Sequence, residues 1–316
     1  MEKDVFYEEM RKELEERLPE HIRREGKPVL REFCKNNDTV LHGILIPREH
    51  GGASPIVYVD KAYEMHRRGT PKKVVSEAIT QAFCKAWEEA SAEKIPSLEY
   101  ENIRDKIFYR IVDRKTNRKK LSEMKYSLAE CGFAKIYSIA VSETGSIPIT
   151  NKLAENFSYD PQRIYDDAEK NTPKLFPESF KDIGEILKEF SFGKDMQTEQ
   201  GMDMMAGDES GMMYILSNRS GANGAAALFY PGVKERIAKK LDDSYYVIPS
   251  SAHEVMIIPC RNGVTEENLE NTLRELNPVV CSRAEVLSDR IMKYDKTRGK
   301  LMTIDTNRDR HIERGN

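Results

Sequence analysis

The densest group of side chains able to do chemistry is Pro249-Ser250-Ser251-Ala252-His253-Glu254-Val255. Hydroxyl, imidazole and carboxylate are the parts of a hydrolase: the hydroxyl attacks, the imidazole takes its proton and the carboxylate orients the imidazole. The catalytic candidates are therefore Ser251, His253 and Glu254. In a strand over 253–258, His253, Val255 and Ile257 share one face, and Glu254, Met256 and Ile258 share the other. Both faces are apolar beyond the entry, which places this strand inside a sheet with His253 and Glu254 at its mouth. Ser251 falls on the same side as His253 and within reach of it, although so short a spacing rarely yields the geometry an acyl acceptor requires. The preferred expectation is structural: Ser250 and Ser251 satisfy loop backbone groups, while His253 and Glu254 are at least half buried and pair across the sheet. Asn218, Asn223-Gly224 and Tyr230-Pro231-Gly232 end neighbouring elements and are expected to converge on that mouth. The binding candidates are Asn218, Tyr230 and Gly232, the last because the free N–H groups of a helix start can receive an anion.

A second candidate is electrostatic. Residues 104–125 hold nine Lys/Arg against three acidic residues, with Phe108, Tyr109 and nearby Tyr126. A basic stripe carrying aromatic rings is what a single strand of nucleic acid needs, and Lys115, Arg118, Lys119 and Lys120 are its candidate contacts. The same residues also read as a strand over 107–112 and a solvated helix over 114–121, and that reading is preferred, so nucleic acid is not the expected partner. Metal chemistry has less support. His21, His42, His50, His66 and His311 are scattered, and the pair His42 and His50, in a glycine loop, would need distant help to hold an ion. No glycine-rich dinucleotide loop, phosphate loop, HExxH or GxSxG is present. No cofactor and no metal are expected.

The elements that must position these groups are those of a soluble globular chain. The 316 residues carry 50 Lys+Arg against 53 Asp+Glu, a net charge of −3 that gives no general reason for a polyanion or an anionic membrane as partner. Mean hydropathy is −0.64, and no apolar run approaches the roughly 18 residues of a membrane span. The start of the chain is charged, with no apolar core of a secretory leader. Cys34, Cys84, Cys131, Cys260 and Cys281 are odd in number, widely spaced and without a CxxC pair, which suits a reducing compartment. The expected location is cytoplasmic.

Periodicity predicts an amphipathic helix over 4–18, strands over 28–34 and 39–46 about the turn Asn36-Asn37-Asp38, a short strand over 56–59, and helices over about 60–68 and 70–90. The last is opened by Thr70-Pro71 and buries Val74, Ile79, Phe83 and Trp87. Strands over 136–141 and 147–149, a helix over 151–157 and a helix opened by Asp160-Pro161 follow. Strands over 213–217 and 225–229, a helix over 232–241, strands over 245–248 and 254–259, and a helix near Thr265 complete the pattern. The recurrence suggests three degenerate copies of a hairpin-then-helix unit, although hairpins followed by helices are common in such folds without duplication. Between Ser191 and Gly211 lie four methionines, five acidic residues and almost no other apolar side chain. The fold class is therefore α+β, with antiparallel hairpin-plus-helix units in two lobes, 1–190 and 212–304, a mobile Met/Gly/acidic linker over 191–211 and a frayed tail over 305–316.

The segments Asn171-Thr172-Pro173-Lys174-Leu175-Phe176-Pro177, Tyr230-Pro231-Gly232, Pro249-Ser250-Ser251-x-His253-Glu254-Val255 and Glu285-Val286-Leu287-Ser288-Asp289 resemble, in order, the motifs of a Firmicutes family that carries only a domain-of-unknown-function label. The resemblance runs from about Thr39 to Ile304. It implies a bacterial cytosolic protein, found in gut anaerobes near mobile genetic elements, and supplies no activity or catalytic residue. The expected function is a non-enzymatic interaction or accessory protein with a protein partner. The alternatives are a hydrolase using residues 251–254 and a nucleic-acid binder using the stripe.

Overall fold

The computed structural model describes residues 2–48, 54–92, 97–142, 145–157, 160–186, 212–249, 251–280 and 282–304. Expectations for His50, Ser250, Cys281, His311, the linker 191–211 and the tail 305–316 fall outside these residues. The protein is α+β, with antiparallel sheets and helices in alternation. Its chain forms two compact units, 1–103 with 140–146, and 104–139 with 147–316. The strands Glu178–Asp182 and Tyr214–Asn218, on either side of residues 191–211, are hydrogen-bonded neighbours in one sheet.

In the first unit, α1 (Lys3–Arg17) and α2 (Glu20–Arg23) precede an antiparallel sheet of β1 (Val29–Cys34), β2 (Val40–Leu45) and β3 (Val57–Tyr58). Asn37 and Asp38 turn the β1–β2 hairpin at φ 58° and 49°, a left-handed conformation that Asn and Asp tolerate. Then come α3 (Asp60–Arg67), α4 (Lys72–Ala92) and α5 (Tyr100–Ile103). The core joins Phe6, Tyr7, Met10 and Leu14 of α1 to Val75, Ile79, Phe83 and Trp87 of α4. The expected Val74 is half exposed, at 50%. The buried residues of α4 step by four, and Val75 continues that stripe where Val74 lies about 100° off it. Val5 of α1 is exposed for the same reason.

The second unit holds two sheets. In the first, β4 (Ile107–Asp113), β6 (Phe133–Ala140) and β5 (Tyr126–Leu128) lie side by side, and β7 (Ser146–Pro148) also pairs with β6. Helices α6 (Arg118–Glu123), α7 (Asn151–Glu155) and α8 (Pro161–Leu175) accompany it. The helix opening predicted at Asp160 forms, with Oδ1 accepting from Gln162 N at 3.0 Å, and Thr150 Oγ1 caps the preceding helix by accepting from Leu153 N at 3.0 Å. The second sheet has six strands in the order β13 (Lys300–Thr303), β12 (Met292–Asp295), β10 (Tyr245–Ile248), β11 (Val255–Pro259), β9 (Tyr214–Asn218), β8 (Glu178–Asp182). Among the described residues no helix is long and apolar enough to cross a membrane.

One predicted strand is overturned. Residues Gly224–Phe229 form a 3-10 helix rather than a strand, entered through Asn223 at φ 54°. Both sides of β9 are already taken, by β8 and by β11, so no ladder remains for a hairpin partner. All six residues are buried, and a run apolar on every side carries no alternation that would demand a pleated strand. The third hairpin-then-helix copy therefore does not exist, although its helix, Val233–Leu241, does.

Candidate functional site

Strand β11 is internal, as expected, and His253 sits in the bend before it. Ser251 is 8% exposed, and its Oγ accepts from the backbone N–H of His253 at 3.0 Å rather than meeting the imidazole. The ring answers elsewhere: Nδ1 accepts from Asn223 N at 3.3 Å. The His253 carbonyl accepts from Ser217 Oγ at 2.7 Å. Glu254 is exposed, which corrects the expectation that it is buried and paired across the sheet. A carboxylate at the mouth of a strand keeps its water where a buried one would need a partner. The three catalytic candidates are thus close in sequence, yet the Ser251–His253 contact runs through backbone.

Asn218 and Asn223-Gly224 do converge on this bend. Asn218 is buried, gives its Nδ2 to Ala222 O at 2.8 Å and accepts from Ser220 Oγ. At Gly224 a Cβ would run into Ser217 Oγ, His253 O and the Asn218 amide, so only glycine lets these backbones approach. Tyr230 is spent elsewhere, its buried hydroxyl donating to Phe176 O at 2.9 Å and its ring edge-on to Tyr109. Burial pushes the Tyr230 and Tyr109 hydroxyls above the ordinary phenol range. Gly232 stands at φ 73° before Val233–Leu241, and the next turn of that helix carries Arg236, which bonds Glu178 at 2.6 Å.

The four segments singled out in the sequence hold one another. Ser251 bridges to Val286, Ala252 N donates to Glu285 O at 2.7 Å, and Ser288 N donates to Pro249 O at 3.0 Å. Thr172 Oγ1 accepts from Tyr109 N and donates to Ala168 O, while Phe176 O receives the Tyr230 hydroxyl. Beyond them lies a hub absent from the sequence reading. Asp113, 3% exposed, accepts from Ser288 Oγ at 3.0 Å, from Arg290 Nη2 at 2.5 Å and from Lys115 N at 2.7 Å. Gly132, at φ 76°, leaves room for the Arg290 guanidinium. The 175-residue separation of Asp113 and Ser288 explains why no local pattern announced the pair.

The basic stripe is broken up. Phe108 and Tyr109 are core residues, which corrects their reading as exposed stacking rings: β4 buries both of its faces. Lys119 and Lys120 follow Arg118 around α6 at about 100° per residue, so they do not share its face. Lys115 lies in the turn before the helix, and its side chain makes no ion pair among the described residues. Of the four candidates, Arg118 lines a depression. That depression has a volume of about 440 Å³ and is bordered by Arg114, Arg118, Leu121, Ser122, Tyr126 and Asn151. A second, of about 340 Å³, lies between β8 and Val233–Leu241 and includes Glu178, Phe180, Arg236 and Lys240.

In the first unit His42, weighed in the sequence as a metal ligand together with His50, is turned to a carboxylate. Its amide and its Nδ1 both reach Asp60, at 2.6 and 3.2 Å, and Tyr7 donates to the same carboxylate at 2.8 Å. Among the described residues no group of three or more His, Cys, Asp or Glu is placed to hold a metal. Cys34, Cys84, Cys131 and Cys260 form no disulfide among the described residues.

A family model described as a family of unknown function, DUF5688, matches residues 4–296, and the chain belongs to that family. No curated protein and no solved structure matches the chain.

Proposed function

Starting from membership of a family without an assigned activity, we propose that this chain is a non-enzymatic binding protein that works with a protein partner. One observation carries the reading: the Ser251 hydroxyl, the His253 imidazole and the backbone of Pro249 and Ala252 are committed to neighbouring loops, and Ser251 Oγ is engaged by an amide rather than by a base. A nucleophile needs its hydroxyl hydrogen-bonded to the group that will take its proton. Side chains spent on one another make a frame, and a frame presents a surface. The resemblance to motifs found beside mobile elements extends the reading to an accessory role there, in the bacterial cytoplasm.

The hydrolase alternative is tested with a fluorophosphonate probe, which reacts with activated serines. The native chain and Ser251→Ala are expected to remain equally unlabelled. Labelling that Ser251→Ala removes would transfer the reading to the hydrolase. In mildly lysed native cells the tagged chain is expected to elute with a stoichiometric protein, and elution as the bare chain would end the proposal.

A further inference from the structure

The depression at Arg114 and Arg118 differs from an ordinary charged surface in what it lacks. Neither guanidinium makes an ion pair among the described residues, and none of the six bordering residues is acidic. Lys115, between them, gives only its backbone N–H to Asp113. A third guanidinium, Arg110 of β4, lies largely buried nearby in the chain with a single hydroxyl partner, Ser138 at 2.9 Å, and its Nε has no hydrogen-bond partner. Burial lowers its pKa, the sign of a cation without an anion to answer it. Arg110, Arg114, Lys115 and Arg118 face one carboxylate within their own segment, Asp113, and that carboxylate is taken by Arg290.

The remaining border supplies an apolar and an aromatic surface. Leu121 is buried and forms the floor side of α6, while Tyr126 is 39% exposed. Asn151 gives its Nδ2 to Ser122 O at 3.0 Å, which leaves its Oδ1 as a free acceptor. Paired guanidiniums match the oxygens of a phosphate, an aromatic face stacks a planar ring, and a fixed amide oxygen accepts from an exocyclic amine. A volume of about 440 Å³ falls within the range of small-molecule sites, about 300–1,000 Å³.

We propose that this depression binds a nucleoside phosphate, with Arg114 and Arg118 on the phosphate, Tyr126 and Leu121 against the base and Asn151 on the base edge. The ligand is either a free nucleotide or the phosphorylated end of a single strand, which present the same chemistry. The inference goes beyond the reading as a partner-binding protein and does not depend on it.

The test is calorimetric titration of the full chain with AMP, with a short 5′-phosphorylated single-stranded RNA and with inorganic phosphate, at low and at physiological salt. AMP is expected to bind saturably and more weakly as salt rises. The double variant Arg114→Gln, Arg118→Gln is expected to lose at least tenfold in affinity, and both side chains are exposed, so its melting temperature should match the parent's. Tyr126→Ala is expected to weaken AMP by about tenfold and leave phosphate unchanged. RNA binding tighter than AMP with the same arginine dependence supports the proposal and assigns the strand end as its source. Phosphate binding as tightly as AMP, no saturation by about 1 mM of any of the three, or affinity indifferent to both arginines would each overturn it.

Discussion

Asp60 in the first unit and Asp113 in the second are both drawn in from water, and different chemistry holds each. Asp60 accepts from the Tyr7 hydroxyl and the His42 amide, with His42 Nδ1 at 3.2 Å and the Lys3 ammonium 3.3 Å away at a half-exposed edge. Burial pushes its pKa up, but the hydrogen bonds from His42, Tyr7 and Lys3 outweigh burial and hold it below the usual carboxylate range. Burial, and then the bond to that carboxylate, push the Tyr7 hydroxyl well above the phenol range. Asp113 meets a guanidinium, a hydroxyl and an amide. A guanidinium does not give up its proton in a protein. The hubs therefore differ in what supplies them: hydrogen bonds dominate at Asp60, while a permanent cation faces Asp113.

The largest effect is expected from Asp113→Ala, which strands Arg290 and Ser288 together. Removing one partner of a buried pair costs about 3–5 kcal/mol. Arg290 is 34% exposed, so water screens part of the loss and the lower end, about 3 kcal/mol, is expected. Denaturant unfolding followed by circular dichroism measures it, and a loss below about 1 kcal/mol would erase the distinction between the hubs.

Asp60→Asn comes next, at about 2 kcal/mol near neutral pH, the worth of hydrogen bonds to a charged group. The pH dependence identifies the cause. Because the folded-state pKa of Asp60 is depressed, its contribution is complete above the unfolded value of about 3.9 and is lost as pH falls through the folded value. The gap between parent and Asp60→Asn should thus be constant from pH 7 to about 5 and close below about 4. A gap that stays open in acid would mean that shape, not charge, holds α3 to β2.

Smaller still, Ser288→Ala and Tyr7→Phe each remove one hydroxyl from its carboxylate and should cost about 1 kcal/mol. The tyrosine variant should lose its effect in acid with Asp60. Lys3→Met is the smallest, within about 0.5 kcal/mol, since an exposed ion pair contributes little. If Lys3→Met matched Asp60→Asn, the first hub would be charge-compensated after all.

Much of the fold was legible residue by residue. Asp160-Pro161 announced its helix because a cap is a contact between neighbours, formed whatever lies around it. The stripe at Ile79, Phe83 and Trp87 fixed the buried face of α4, with an error of one residue at Val74. Of the candidate site, the nearness of Asn218, Asn223-Gly224 and His253 was legible, since Asn218 ends β9, His253 precedes β11 and Asn223-Gly224 follow Asn218 within one turn. That Ser251 would meet an amide, that Glu254 would stay in water, and that Arg290 would reach Asp113 were not, because each depends on which loop arrives from far along the chain.

What the sequence determined by itself was element type wherever a period or a cap existed: helix faces, alternating strands, the Asn36–Asp38 turn. The tertiary structure decided the places where local preference was silent. Ala225–Phe229 is apolar on every side, so nothing local separates strand from helix. It became a 3-10 helix because β8, arriving from before residue 191, and β11, arriving from beyond residue 250, had already satisfied both edges of β9. A backbone must make its hydrogen bonds somewhere, and with no strand edge left to pair with, this one made them to itself.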